Sequence, residues 1–144
     1  MRITIYVTYS DTDFTDFHGE KMKLLNEKET YEIIGLSMEV YKILGKGFSE
    51  VVYKDALEYE FTQRAISFQR EKEFKIKYKE IFLPRKYNAD FVVFDKIILE
   101  VKAVESIVSG HIKQTLNYLA ASGLKIGLIV NFGEYSLKHK RVIL

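Results

Sequence analysis

The chain has 144 residues, of which 47% are hydrophobic, and its 22 Lys and Arg against 20 Asp and Glu give a formal net charge of +2. This length and apolar content suit one globular domain and exclude a disordered chain. The lack of cysteine excludes disulfides, cysteine-ligated metal sites and thiol nucleophiles. Neither a membrane-length apolar run nor a signal-peptide pattern is present, so we expect a soluble cytoplasmic protein.

The first 21 residues differ from the rest, because residues 8–16 are polar, carry three aspartates and show no helical period. We interpret residues 1–21 as an N-terminal extension of uncertain order. It could be a peripheral strand, a disordered arm, or sequence upstream of an original start at Met22. Residues 22–144 would then form the domain.

Two helices are predicted first. Apolar residues recur at three- and four-residue spacing over residues 30–44, with Thr30 as the N-cap and a glycine at each of positions 45 and 47 to stop the helix. Ser49 is a candidate cap for a second helix that runs to about Arg64.

Strands follow. Residues 74–78 alternate apolar and Lys side chains, which predicts a half-buried strand with a basic outer face, and residues 83–85 predict a turn. Residues 87–94 and 97–103 are two apolar runs that indicate a hairpin deep in a sheet.

The last elements are a helix over residues 110–122, capped by Ser109 and ended by Gly123, and strands over residues 126–130 and 137–144. A helix between two strands suggests a right-handed crossover that joins parallel neighbours. The sequence therefore predicts an α/β fold, a mixed β-sheet flanked by α-helices.

Three charged residues lie within the apolar hairpin: Asp90 in its first run, and Glu100 and Lys102 in its second. Charges embedded in apolar strands are costly unless they are paired or bind a metal. Two carboxylates offer the hard oxygen ligands that suit Mg²⁺ or Mn²⁺, and a nearby lysine could orient a water molecule or stabilise negative charge. The alternative is a Glu–Lys pair at a strand end, with Asp90 capping a turn.

Strand geometry gives this hypothesis a test. With a two-residue turn at Asp95 and Lys96, Asp90 would lie opposite Val101 and point away from Glu100. A common site needs a one-residue offset, from a three-residue loop or a bulge, and we predict that offset.

Asp90 followed by Glu100-Val101-Lys102 resembles the core motif of the PD-(D/E)XK nuclease superfamily, whose fold is restriction-endonuclease-like. Residues 47–53 are similar to the signature of the GxxExxY protein family. Further similar stretches lie at residues 44–48, 87–90, 100–103, 114–119 and 128–133. The chain departs from that family's pattern at Lys46, often Pro, and at Tyr41, often His.

The resemblance implies that Asp90, Glu100 and Glu50 hold Mg²⁺ or Mn²⁺, together with the Val101 carbonyl, and that Lys102 assists the attacking water. Glu50 lies at a helix start, where the helix dipole favours a carboxylate, so an ordinary first-turn glutamate is the alternative.

Four more residues are candidates for substrate binding. Tyr53 lies one turn after Glu50, in a structural or substrate-positioning role. Gln114 and Tyr118 share a helical stripe with His111, and their spacing resembles a motif of the superfamily's exonuclease branch, where it lies beside the active site. For His111, a solvent-facing residue at the helix start is an equal alternative.

The predicted function is a metal-dependent nuclease acting on nucleic acid, with DNA favoured over RNA. The alternatives are a non-catalytic nucleic-acid-binding or interaction domain that keeps the fold, and metal-dependent chemistry on a small phosphate. Lysines at positions 75, 77 and 79 and the basic residues 85, 86 and 138–141 could contact phosphates or could simply be solvated strand faces. The sequence leaves the oligomeric state open.

Overall fold

A computed structural model describes residues 6–8 and 26–144. The elements in chain order are β1 (Tyr6–Thr8), α1 (Glu27–Leu44), α2 (Glu50–Gln63), β2 (Phe68–Tyr78), β3 (Ile81–Val93), β4 (Ile97–Lys102), α3 (Ser109–Ser122), β5 (Ile126–Asn131) and β6 (Lys138–Ile143). Within the predicted extension, residues 1–21, Tyr6–Thr8 form an edge strand. Residues 1–5 and 9–25 lie outside the described part of the chain.

The strands form one mixed sheet in the order β1-β6-β5-β4-β3-β2. β4 and β5 pair in parallel and are joined through α3, while the other neighbouring pairs are antiparallel. This agrees with the α/β fold and with the parallel neighbours predicted from the sequence. No helix of the described residues is long and apolar enough to cross a membrane.

Helices cover both faces of the sheet, and each face has its own core. Helices α1 and α2 pack on one face, with Ile33, Tyr53 and Leu57 against strand residues such as Leu99. Helix α3 packs on the other face through side chains that include Leu119. The sheet is therefore the middle of three layers, and its central strands are buried on both sides.

Helix ends differ slightly from the prediction. Helix α1 begins at Glu27, with Asn26 as the N-cap, and the hydroxyl of the buried Thr30 donates to the Asn26 carbonyl at 2.9 Å instead of capping the helix. Helix α3 begins at Ser109, one residue earlier than expected, so this serine lies inside the helix. Gly123 ends α3 in the left-handed conformation (φ 76°), as predicted.

The predicted turn at residues 83–85 is wrong, because β3 runs through these residues. Between the pairs Lys75–Lys86 and Lys77–Phe82, β3 has three residues where β2 has one. Pro84 lies inside this bulge. Proline cannot donate to a strand ladder, so a bulge is one of the few strand positions that accept it.

In β3, the alternation of side chains between the two cores shifts by one residue at Asp90. Ala89 belongs to the core under α3, whereas Phe91, two residues on, belongs to the core under α1 and α2. Residues two apart on a regular strand share a face. The β2–β3 pairing skips Asp90 and the facing Glu71, and Glu71 has a positive φ of 54°. The irregularity thus lies at a predicted site residue.

Candidate active site

The β3–β4 turn sets the register of the site. Val93 pairs with Ile97, so residues 94–96 form a three-residue loop, and the ladder continues through Phe91 and Leu99. The same register sets Asp90 opposite Glu100. The one-residue offset that the metal hypothesis required is therefore present.

Asp90 and Glu100 replace the strand ladder with side-chain hydrogen bonds. The Asp90 amide donates to Oε1 of Glu100 at 3.0 Å, and the Val101 amide donates to Oδ2 of Asp90 at 2.8 Å. Each carboxylate therefore takes an amide of the opposite strand. These bonds fix both side chains on β3 and β4, as a preorganised site requires.

The pair carries more negative charge than its surroundings favour. Glu100 is only 2% exposed. Burial, followed by the negative charge of Asp90, raises the pKa of Glu100 to about 8. A proton or a bound cation would relieve this arrangement.

Lys54 is a site residue that the sequence reasoning missed. Its Nζ lies 3.0 Å from Oδ1 of Asp90 and also contacts the Glu71 carboxylate. Burial opposes the charge of Lys54, but the hydrogen bonds to Glu71 and Asp90 raise its pKa overall. The only sequence signal is its position one helical turn after Glu50. The contact joins α2 to strands β2 and β3 at the irregular backbone of Glu71, which the sequence pattern does not reveal.

The two carboxylates fit a divalent cation, since they are adjacent hard oxygen donors in a poorly solvated place. Among residues 26–144, however, no group of three or more His, Asp or Glu side chains is arranged to hold a metal ion. Glu50 lies in the first turn of α2, and its role as a ligand, like that of the Val101 carbonyl, stays a prediction.

Lys102 is positioned by α3. It lies two residues after Glu100 on β4 and so shares its face of the sheet. Its Nζ donates to Oε1 of Gln114 at 3.2 Å. The exposed Gln114 thus holds the Lys102 ammonium group beside the acidic pair.

His111 and Tyr118 lie on the same helix as Gln114. The Val108 amide donates to Nδ1 of His111 at 3.0 Å, which caps the start of α3. Burial, followed by the charge of Lys102, lowers the pKa of His111. Tyr118 is 6% exposed and meets Tyr87 edge to face. Burial, together with the charges of Glu100 and Asp90, raises the pKa of Tyr118.

Tyr53 points into the core. It has no exposed surface, and its ring stacks on Phe132 with the centroids 4.3 Å apart. Its hydroxyl donates to the Gly45 carbonyl at 2.6 Å and accepts from the Phe48 amide at 3.2 Å. Of the two roles predicted for Tyr53, this placement favours the structural one.

Asn131 is a second residue that the sequence reasoning passed over. Its fully buried side chain accepts from the amides of Val104 and Gly133 and donates to the Val104 carbonyl and to Glu134. It joins the loops that follow β4 and β5, next to Lys102. A buried amide with this many partners stabilises one loop conformation.

A cleft of about 490 Å³ lies by the same loops. Its lining consists of Lys46, Glu105, Gly133, Glu134, Tyr135, Ser136 and Lys138. Tyr135 is 93% exposed, with the Lys46 ammonium 4.2 Å from its ring centroid. Neither Asp90 nor Glu100 lines this cleft, so it is not a closed pocket around the acidic pair.

Comparisons with known proteins identify a family and a fold. A family model described as the PD-(D/E)XK nuclease superfamily matches residues 27–142, which include every predicted site residue. No curated protein matches the chain.

Two solved structures are similar in fold. The crystal structure of SSO0001 is 21% identical with a TM-score of 0.52, and the match covers 81% of this chain and 59% of that one. An alkaline exonuclease from Laribacter hongkongensis is 12% identical with a TM-score of 0.50, with 85% and 72% covered. This chain thus spans about three fifths of the length of SSO0001. At these identities the likeness concerns the fold, which is restriction-endonuclease-like. Because the family model matches most of the length of this chain, the chain belongs to the PD-(D/E)XK nuclease superfamily.

Proposed function

We propose that this protein is a metal-dependent nuclease that hydrolyses phosphodiester bonds, with DNA as the favoured substrate over RNA. The observation that carries the proposal is the hydrogen-bonded pair of Asp90 and Glu100 with Lys102 on the same face. Membership of the nuclease superfamily and the fold shared with an alkaline exonuclease support it.

In this proposal Asp90 and Glu100 hold Mg²⁺ or Mn²⁺, with Glu50 and the Val101 carbonyl as further ligands. The bound cation would stabilise negative charge on a phosphoryl oxygen and lower the pKa of a water molecule. Lys102, kept in place by Gln114, orients that water and offsets charge that develops on the phosphate.

Within the superfamily, we assign the chain to the GxxExxY family on the basis of Gly47, Glu50 and Tyr53. In the structure, Tyr53 bonds to the loop that carries Gly47, and that loop leads directly into Glu50. The motif would thus position the first turn of α2. We also propose a cytoplasmic location.

The test is cleavage of labelled single- and double-stranded DNA and RNA with Mg²⁺ or Mn²⁺, comparing wild type with Lys102→Ala. We expect a loss of at least about 100-fold, as for removal of a group that acts on the proton or charge of the reaction. Lys113→Ala, an exposed lysine on α3, is the matched control and should retain activity. Equal cleavage by wild type and Lys102→Ala would point to another site or a contaminating nuclease.

One observation favours a second candidate, a non-catalytic nucleic-acid-binding or interaction domain that keeps the fold. The Lys54 ammonium already gives Asp90 a positive partner at 3.0 Å. Titration calorimetry with Mn²⁺ separates the two. The nuclease should bind Mn²⁺ and lose binding in Asp90→Asn. If both wild type and Lys54→Met neither bind Mn²⁺ nor cleave, the non-catalytic domain is the better description.

A further inference from the structure

Strands β2 and β3 extend beyond the rest of the sheet as a two-stranded ribbon. β4 pairs with β3 only at Phe91, Val92 and Val93, whereas β2 and β3 stay paired as far as Tyr78 and Ile81. We call residues 72–78 and 81–89 the ribbon. It begins next to Asp90, and at about 3.3 Å per residue it reaches roughly 20 Å.

The two faces of the ribbon differ. One face is half-buried, and Phe74 and Tyr87 on that face pack in the core under α3. On the other face the side chains are exposed. They are Glu73, Lys75, Lys77, Phe82, Lys86 and Asn88.

Positive charges face each other across this open face. Lys75 is the cross-strand partner of Lys86, and like charges in that arrangement are destabilising. In the described part of the chain, the carboxylate paired with these lysines is that of Glu73, 3.8 Å from Lys86. Lys77 lies opposite Phe82, which is 63% exposed and carries the Lys75 ammonium 5.9 Å from its ring. The face therefore lacks the negative charge that would balance it.

We propose that the open face of the ribbon binds double-stranded DNA in the major groove, with Lys75, Lys77 and Lys86 on the phosphates. A polyanion supplies the negative charge that this face lacks. The major groove of B-form DNA is about 12 Å wide and admits a two-stranded β-ribbon, whereas that of A-form RNA is too narrow for side chains to enter.

The position of the ribbon gives this binding a use. The ribbon continues from the strand that carries Asp90, so a duplex bound along it would begin at the end of β3 that holds the acidic pair, on the face of the sheet opposite α3. This use rests on the proposed nuclease function, but the DNA binding itself does not.

The experiment compares three proteins by fluorescence anisotropy with a labelled duplex, without divalent metal so that nothing is cleaved. They are wild type, the variant K75Q/K77Q/K86Q, and the control K28Q/K42Q/K125Q, which loses the same charge at exposed sites outside the ribbon. The log of the affinity falls as the log of the salt concentration rises, and loss of three phosphate contacts should make this slope shallower by about 3. Binding should also weaken by at least about tenfold. The control should keep the wild-type slope.

Three outcomes overturn the proposal: wild type that does not bind duplex DNA, a ribbon variant that binds like the control, or an RNA duplex bound as tightly as DNA. In the second case the lysines serve only to keep the edge strand from pairing with other chains. The outcomes separate the two proposals. If wild type binds duplex DNA but does not cleave it in Mg²⁺, the nuclease proposal fails and the ribbon proposal stands. If the ribbon variant still cleaves DNA and binds it like the control, the nuclease proposal stands and the ribbon proposal fails.

Discussion

The backbone amide of Asp90 hydrogen-bonds to the side chain of Glu100 at 3.0 Å, where a regular hairpin would have an amide–carbonyl bond. The return bond, from the amide after Glu100 to Oδ2 of Asp90, is 2.8 Å long. The two acids thus serve as part of the strand pairing as well as the candidate cation site. Substitutions can separate these two roles.

Asp90→Asn should abolish activity and keep the fold, because the amide oxygen can still accept from Val101 while the negative charge is lost. Asp90→Ala leaves the Val101 amide without its acceptor and should lower the free energy of unfolding by about 1–3 kcal/mol. Urea denaturation in EDTA measures the stability difference, and Mn²⁺ calorimetry measures the binding. Mn²⁺ affinity equal to wild type in Asp90→Asn would contradict the assignment of this ligand.

The raised pKa of Glu100 predicts a pH-dependent stability of the metal-free protein. The folded state keeps the Glu100 proton up to about pH 8, while the unfolded chain loses it near the ordinary value of 4.5. The unfolded state therefore binds fewer protons between these values, and stability falls as pH rises through this window. The slope should be at most about 1.4 kcal/mol per pH unit, the value for one proton.

Glu100→Gln is the control for this prediction, since the amide can accept from Asp90 but does not titrate in this range. The stability of wild type relative to Glu100→Gln, measured by urea unfolding in EDTA, should decrease between about pH 5 and pH 8. Excess Mn²⁺ should reduce that decrease, because cation binding favours the charged carboxylate. A difference that stays constant with pH would refute the assigned shift.

Much of the fold follows from local patterns in the sequence. The order of elements, the parallel neighbours and Gly123 at the end of α3 all come from periodicity and from glycine chemistry. Side chains alternate between the two faces along a strand, so the three-residue β3–β4 loop also follows once Asp90 and Glu100 are assumed to share a face. These features depend on neighbours in sequence, and the pattern records them.

The rest of the site depends on contacts between distant residues. Lys54 reaches Asp90 from a helix 36 residues earlier in the chain, and the facing Glu71 has a positive φ that no residue type at position 71 signals. Pro84 predicts a turn by its chemistry but is accommodated in a bulge instead. Tyr53 is singled out by its place in a sequence motif. That its ring is buried follows from its stacking on Phe132, which is distant in the sequence.

Gln114 should act on catalysis through Lys102. Gln114→Ala removes the acceptor at 3.2 Å and should lower kcat by about tenfold while KM and Tm stay close to wild type, because the side chain is exposed. Gln114→Glu keeps an acceptor oxygen and should restore most of kcat. Asn117→Ala, also exposed on α3, is the matched control. Equal kcat for Gln114→Ala and wild type would remove this positioning role.

Helix α3 lies so close to β5 at Gly127 that we expect no room for an added methyl group there. A Cβ there would lie 2.4 Å from Cγ2 of Thr115, so Gly127→Ala forces the Thr115 side chain, or α3 as a whole, to shift. We expect a loss of about 1–3 kcal/mol in the free energy of unfolding, and lower activity because Gln114 moves with the helix. Adding Thr115→Ser removes that methyl group but keeps the hydroxyl that bonds to the His111 carbonyl. The double variant should therefore recover stability and activity together, whereas a double variant no better than Gly127→Ala would place the strain elsewhere.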